Sequence, residues 1–386
     1  MLEKMNSIVY DNEKGIVIKC VTSYLEARAE KTCLAVLSEN KIDENTRTFK
    51  VPKLYVEESS EYTVCMEYVP GIRAYDLVAL LNHVIRVYPN KQTVSKAYAT
   101  KYNLIGAAIS MVIKFQSDGL QNDLRQTKEV SFAAYDFKGK LIESINYLQS
   151  RLNVQSKSKL LDEVEQIVDF LSQRVEVTFR DATLKNFIVQ LPAIDGDVCD
   201  YHNIAKPVGD YLRPTNWQWT DTNACLAMLD HLSKPEELQN YMYSIDFEST
   251  HSLTTKCDDF LHLFTHEVSG ISYDTAQKFL ESHLGIGEEE LNYAILLRCL
   301  RDGTRRLFYK CERPTIFATR YFHETVEYLL LVALEALERL RQNSAKTDFL
   351  SSLHSLLLQF RTCHMPWPWQ LNMLPIDLEI KKTKGA

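Results

Sequence analysis

The feature that most constrains the fold of this chain is a change of hydrophobic period at Gly71. Before it, apolar residues fall in short β-rich runs: Ser7-Ile8-Val9-Tyr10, Gly15 to Val21, Val51 to Val56 and Tyr62 to Met66. Such runs mark strands. Asp11-Asn12-Glu13-Lys14 joins the first two as a hairpin signal, and Ser23 to Leu37 reads as one helix between the second and third. Glu67 to Gly71 then breaks the pattern as a turn. Beyond it apolar spacing turns to three and four over Tyr75–Val87, Lys96–Ser117, Lys138–Leu152 and Lys157–Arg174. The later runs Asp258–Glu267, Tyr273–His283, Glu288–Tyr309, Arg320–Leu340 and Thr347–Cys363 also read as helices. The expected class is α+β, with a small antiparallel sheet and one helix over 1–70 and a large, mostly helical part over 71–386.

Three short strands interrupt the helical part. Val175–Phe179 and Phe187–Leu191 flank the loop Phe179-Arg180-Asp181-Ala182-Thr183-Leu184-Lys185-Asn186, and Tyr241–Phe247 runs into Ile245-Asp246-Phe247-Glu248. An Asp followed five residues later by an Asn, between strands, is how phosphoryl-transfer sites place a catalytic base and a metal ligand on one loop. A second Asp ending a later strand supplies the other metal ligand. The two segments must therefore meet in space.

Lys19 is a charged residue in the apolar run Ile16-Val17-Ile18. It reads either as an edge lysine facing water or as a lysine reaching nucleotide phosphates, held by a glutamate of the following helix. Glu30 fits that partner, and Glu26, one turn earlier on the same face, competes with it. The segment 192–240, with its Pro, Asn, Asp and Trp residues and a helix near Asn223–Leu232, is longer than a hairpin needs and reads as a lid or partner surface. In it, Tyr211, Trp217 and Trp219 suit stacking on a substrate or a cation, or a satellite core.

Charge and cysteine usage exclude other classes. The net charge is −7 and the basic residues are scattered, so no nucleic-acid footprint is expected. Met1–Tyr10 is too polar for an apolar leader, and the longest apolar stretch, Tyr328–Leu337, falls short of the roughly 18 residues a membrane span needs. The nine cysteines are odd in number and dispersed, which reads as reduced thiols in a cytoplasmic protein without a zinc site. His262 and His266, with Cys257 and Glu267 nearby, have one-turn spacing but no further defined ligand. Trp367-Pro368-Trp369 reads as a packing element.

The order of these elements resembles the aminoglycoside phosphotransferase and choline kinase-like family, whose fold is the two-lobed protein-kinase-like one. The resemblance covers roughly Ile16 to Phe264. It implies that Lys19 and its partner Glu30 bind the phosphates of ATP, and that Met66-Glu67-Tyr68-Val69-Pro70-Gly71 is the hinge, with Glu67 and Tyr68 at the adenine. It further implies that Asp181 is the base, that Asn186 and Asp246 hold Mg2+, and that Asp259 braces the catalytic loop. The acceptor implied is a hydroxyl of a small molecule, bound by the helices over Lys96–Arg174 and those after Glu248. Three departures stand against the pattern. No Gly-x-Gly-x-x-Gly occurs anywhere, and Gly15 is the one glycine before Lys19. Phe179 stands where the family has a histidine, and Leu184 and Lys185 where it has Pro and Gly. These motivate the alternative of a catalytically inactive, nucleotide-sensing or scaffolding relative. A protein kinase is disfavoured, because no Ala-Pro-Glu segment follows Asp246.

Overall fold

The computed structural model describes residues 7–11, 13–39, 50–87, 89–116, 118–127, 132–153, 159–190, 205–207, 217–219, 222–234, 238, 241–264, 273–314, 326–343 and 347–364. The architecture is mixed α+β, mostly helical, with small antiparallel sheets. Among the described residues no helix is long and apolar enough to cross a membrane. The chain divides into two compact units, Met1–Ala133 with Glu176–Thr254, and Ala134–Val175 with Thr255–Ala386.

In the first unit, β1 (Ser7–Asp11), β2 (Ile16–Cys20) and β3 (Thr63–Glu67) form an antiparallel sheet in the order β1-β2-β3. The β1–β2 hairpin closes where Asp11 Oδ1 accepts the Lys14 amide at 3.1 Å and Gly15 takes a left-handed φ of 63°, a conformation glycine adopts without a Cβ clash. Helix α1 (Tyr24–Glu39) follows β2 and buries Ala27, Glu30, Leu34 and Leu37 along one face. The strand expected over Val51–Val56 reduces to one bridge, Leu54 to Met66, flanked by bonds from Tyr55 N to Cys65 O at 2.9 Å and from Glu67 N to Lys53 O at 2.8 Å. Pro52 has no amide with which to extend it.

After Tyr68–Gly71 comes β4 (Ile72–Arg73), a strand too short for a periodicity to reveal. It pairs with β5 (Phe187–Val189), which pairs on its other edge with a later strand, Met242–Ser244. Gly71 makes this approach possible: a Cβ there would lie 2.3 Å from the Val189 carbonyl oxygen. Helices α2 (Ala74–Val87) and α3 (Lys91–Phe115) follow. α3 begins a turn earlier than its apolar spacing suggests, because Asn90 Oδ1 accepts the Gln92 and Thr93 amides at 2.9 and 3.4 Å.

A helix not anticipated from sequence, α4 (Asp118–Gln126), carries Gln121. Its side chain donates to Val177 O at 2.7 Å and accepts from Val177 N at 3.1 Å, fastening the backbone that leads into the Asp181 loop. Within 192–240, β6 (Ala205–Pro207) and β7 (Trp217–Trp219) pair antiparallel, and a helix spans Thr222–Leu232; Tyr211 lies outside the described residues. Met242–Ser244 is β8.

The second unit is helical: α5 (Phe137–Leu152), α6 (Lys159–Ser172), then, after α7 (the Thr222–Leu232 helix of the first unit), α8 (Lys256–Phe264), α9 (Tyr273–Leu284), α10 (Glu288–Glu312), α11 (Val326–Asn343) and α12 (Thr347–His364). α10 is central, buried continuously from Leu291 to Leu300 and packed on α11 and α5. His266, Glu267 and Trp367-Pro368-Trp369 lie outside the described residues.

Candidate active site

The first unit gathers a compact charged cluster around Lys19. Its side chain leaves β2 on the face that α1 covers and is 6% exposed. Lys19 Nζ donates to Glu30 Oε2 at 2.7 Å, pairs with Glu248 Oε2 at 2.9 Å, and bonds to Asp246 Oδ1. Of the two glutamates left open by the sequence, Glu30 is therefore the partner, while Glu26 accepts from Thr22 Oγ1 at 3.4 Å. Oxygens of Glu30, Asp246 and Glu248 all lie within 4.8 Å of one another.

The electrostatics follow from burial and from three carboxylates sharing one ammonium. Burial disfavours the Lys19 charge, but the attraction of Asp246, Glu30 and Glu248 outweighs it and raises the pKa. Burial pushes Glu30 up to about 7, against the pull of Lys19 and with the repulsion of Asp246 and Glu248. These two shifts pull opposite ways for a single pair. Lys19 is held firmly charged because it answers three anions, and Glu30, which receives only a share of it, keeps a buried Oε1 without a hydrogen bond among the described residues. Burial and the nearby Asp246 raise Glu248 as well.

The loop holding Asp181 forms a second group. Thr183 N bonds back to Asp181 O at 2.7 Å, and a short 3-10 turn, Leu184–Asn186, places Asn186 beneath the same carbonyl. Asn186 Nδ2 donates to Asp181 O at 2.8 Å and to Asp181 Oδ2 at 3.3 Å. The Asp181 and Asp246 segments do meet: Ile245 N donates to Asn186 O at 2.9 Å, continuing the β5–β8 ladder. Two of the three left-handed non-glycine residues among those described, Arg180 at 64° and Asp246 at 70°, lie here. Such strain concentrates where surroundings enforce a functional geometry.

Apolar packing and short polar ties hold these strained points. Phe179 is fully buried against Phe247 at 4.7 Å, Phe115 at 5.7 Å and Phe187 at 5.9 Å between ring centroids. It thus joins both acidic segments to the end of α3. Arg180 Nη1 donates to Ser252 Oγ at 3.1 Å. Thr250 Oγ1 donates to Phe247 O at 2.8 Å and meets Cys33 Sγ of α1 at 3.2 Å, which fixes the 3-10 turn Glu248–His251 against the helix bearing Glu30. Glu248, the last residue of the segment Ile245-Asp246-Phe247-Glu248 read from sequence, joins the cluster as a third carboxylate. Its side chain comes within reach because Asp246 is left-handed and the chain coils at once into that turn.

In the segment Met66–Gly71 the backbone amides are unequally used. The Glu67 amide donates to Lys53 O and the Tyr68 amide to Gly15 O, each at 2.8 Å. Both are committed within the sheet, whereas the buried Val69 has no amide bond among the described residues. Asp259 is fully buried in the first turn of α8, in the second unit. There too, His262 Nδ1 lies 2.9 Å from Arg298 Nη2, and burial pushes the Cys257 thiol pKa up.

As a donor set, Glu30, Asp246 and Glu248 offer hard carboxylate oxygens, which suit Mg2+ rather than a softer metal. When Glu30, Asp246 and Glu248 are all ionised, two negative charges remain after Lys19 is counted, a balance that a divalent cation would offset.

No protein-family model matches this chain, and no curated protein does. Among solved structures, an ethanolamine kinase from Plasmodium vivax is similar over 87% of this chain and 83% of that chain, with 12% sequence identity and a TM-score of 0.39. A likeness at that level settles neither activity nor substrate.

Proposed function

We propose that this chain is a phosphotransferase of the kinase-like, two-lobed type, moving the γ-phosphoryl group of ATP to a hydroxyl of a small molecule. The observation that supports it best is the buried Lys19, held by Glu30 and facing Asp246 and Glu248. A lysine so fixed presents a rigid positive charge where phosphate oxygens need one. Asp246, Glu248 and Asn186 would hold magnesium, which when bound neutralises phosphate charge. Asp181, oriented by Asn186, accepts the hydrogen bond of the acceptor hydroxyl and takes its proton as the oxygen attacks. Catalysis by such a set is mostly positioning and charge stabilisation, so few side chains suffice. Met66–Gly71 would meet the adenine edge, with the Val69 amide, unbonded among the described residues, as its donor.

One observation favours a second reading, a nucleotide-binding protein without turnover: no glycine-rich phosphate loop occurs in the sequence. Isotopic ATP turnover with a panel of amino alcohols, sugars and aminoglycosides separates the two. The phosphotransferase reading expects product with one class and its loss in Asp181→Asn, with Mg–ATP binding retained. Binding without product across the panel supports the second reading. A wild-type thermal midpoint unmoved by Mg–ATP sinks both.

A further inference from the structure

The small sheet of the first unit ends on an edge that the Lys19 site does not use. β1 lies outermost in the order β1-β2-β3, and among the described residues no strand pairs with its other side. It pairs with β2 without interruption, from Ser7 opposite Cys20 to Asp11 opposite Ile16. Ile8, Val9 and Tyr10 are 52%, 54% and 58% exposed. By alternation Ile8 and Tyr10 lie on the face that carries Lys19, and Val9 lies on the other. The edge is therefore apolar and open on both faces. The Tyr10 ring also meets the exposed Tyr68 ring edge-on at 5.9 Å, which widens the patch.

Edge strands are ordinarily blunted by a lysine, a proline or a bulge, because their outward N–H and C=O groups template a further strand. Ser7–Asp11 has none of the three. What fits there is set by the order of its residues, which is self-complementary about Val9. An antiparallel copy centred on Val9 sets Val9 against Val9, Ile8 against Tyr10 on either side, and Ser7 against Asp11 at either end. Aliphatic β-branched and aromatic side chains make favourable opposed pairs, a hydroxyl meets each carboxylate, and the two Asp11 charges stand at opposite ends. A parallel copy would instead bring Asp11 beside Asp11. The antiparallel arrangement is isologous: one patch serves both partners, and assembly closes at two.

We propose that β1 is a dimer contact, at which two copies of this chain join their three-stranded sheets into one continuous sheet by antiparallel β1–β1 pairing. The contact does not depend on phosphoryl transfer. Main-chain hydrogen bonds supply the pairing, and Ile8, Val9 and Tyr10 supply the apolar contacts that fix its register. Five residues a side fall short of the roughly 1,200 Å² of a standard stable interface. The dimer therefore forms and dissociates with chain concentration.

The test is sedimentation of the full chain over a micromolar to sub-millimolar concentration series, in which the average mass is expected to rise from one chain to two. Val9→Lys sets two ammonium groups opposite each other and should weaken association about tenfold or more. Its thermal midpoint in dilute solution should stay that of the wild type, because Val9 is half exposed. Under mild oxidation, Val9→Cys should cross-link to its own copy, since directly opposed Cβ atoms lie about 4.5–5.5 Å apart, close to disulfide reach. Ser7→Cys, which faces Asp11, should not exceed the wild-type background that the exposed Cys20 and Cys311 set. A chain that stays monomeric throughout overturns the proposal, whether β1 is then bare or met by another protein. So does a dimer that Val9→Lys leaves equally tight, which joins by another face, and so does cross-linking of Ser7→Cys equal to that of Val9→Cys.

Discussion

Lys19 is the residue on which the first unit's charges converge, and the consequences of removing it depend on Glu30. Taking one partner from a buried pair typically costs about 3–5 kcal/mol, because the other charge is left without compensation. Glu30 has an escape: protonation. With a pKa of about 7 in the fold against an ordinary carboxylate value when unfolded, the native state binds the Glu30 proton more tightly. Its contribution therefore favours folding fully at acid pH and is lost as pH rises from the ordinary carboxylate range through about 7. Lys19→Met removes the cation that holds this pKa down and moves it higher. Urea denaturation should show Lys19→Met losing several kcal/mol at pH 8 and distinctly less at pH 6, with Glu30→Gln in the same chain recovering most of the pH 8 loss. Equal losses at the two pH values would mean that the lysine acts through packing alone.

Elements decide whether the two acidic segments meet, and two of them give clear expectations. Phe179 ties the strand before the Asp181 loop to Phe187, Phe247 and the end of α3, so Phe179→Ala should destabilise the fold by about 3–5 kcal/mol, read by denaturant midpoint. Phe179→His, which keeps a planar ring in the same place, should lose less than Ala. Gly71 lets β4 lie against β5, and a Cβ 2.3 Å from the Val189 oxygen has only backbone to push. Gly71→Ala should cost roughly 1–3 kcal/mol, with amide exchange faster in Phe187–Val189; an unaffected β5 would show that the contact relaxes freely. Both points bear on what the sequence could reveal. β2, α1 and the strands around Asp181 and Asp246 are legible because each has its own hydrophobic pattern. The choice of Glu30 over Glu26 is not, since both lie on one face of α1 and only depth beneath the sheet separates them. The segment Ile245–Glu248 is legible as acidic, but the reach of Glu248 to Lys19 is not: it depends on a left-handed Asp246 and a 3-10 turn, which period-based reading does not detect. The two-residue β4 and the Gln121 clamp on Val177 are tertiary facts without a local signature.

At the scale of the whole molecule, the first unit is built from two stretches of chain separated by residues 134–175. Lys19 and Glu30 come from the first stretch, and Asp181, Asn186, Asp246 and Glu248 from the second. The Lys19–Asp246 bond spans 227 residues, so the site exists only when both stretches are docked, and a ligand that bridges them stabilises that docking by mass action. At a hundredfold excess over its dissociation constant, Mg–ATP should add about 2.7 kcal/mol, which slows exchange about a hundredfold for amides that open with the site. Those amides lie in β2, α1, 179–190 and 242–252. The amides of α10 and α11, central to the second unit, exchange through openings of their own core and should slow much less. In hydrogen exchange with and without Mg–ATP, protection confined to one of the two stretches would contradict a site shared between them. The same slowing in α10 as in β2 would instead show that the two units unfold as one.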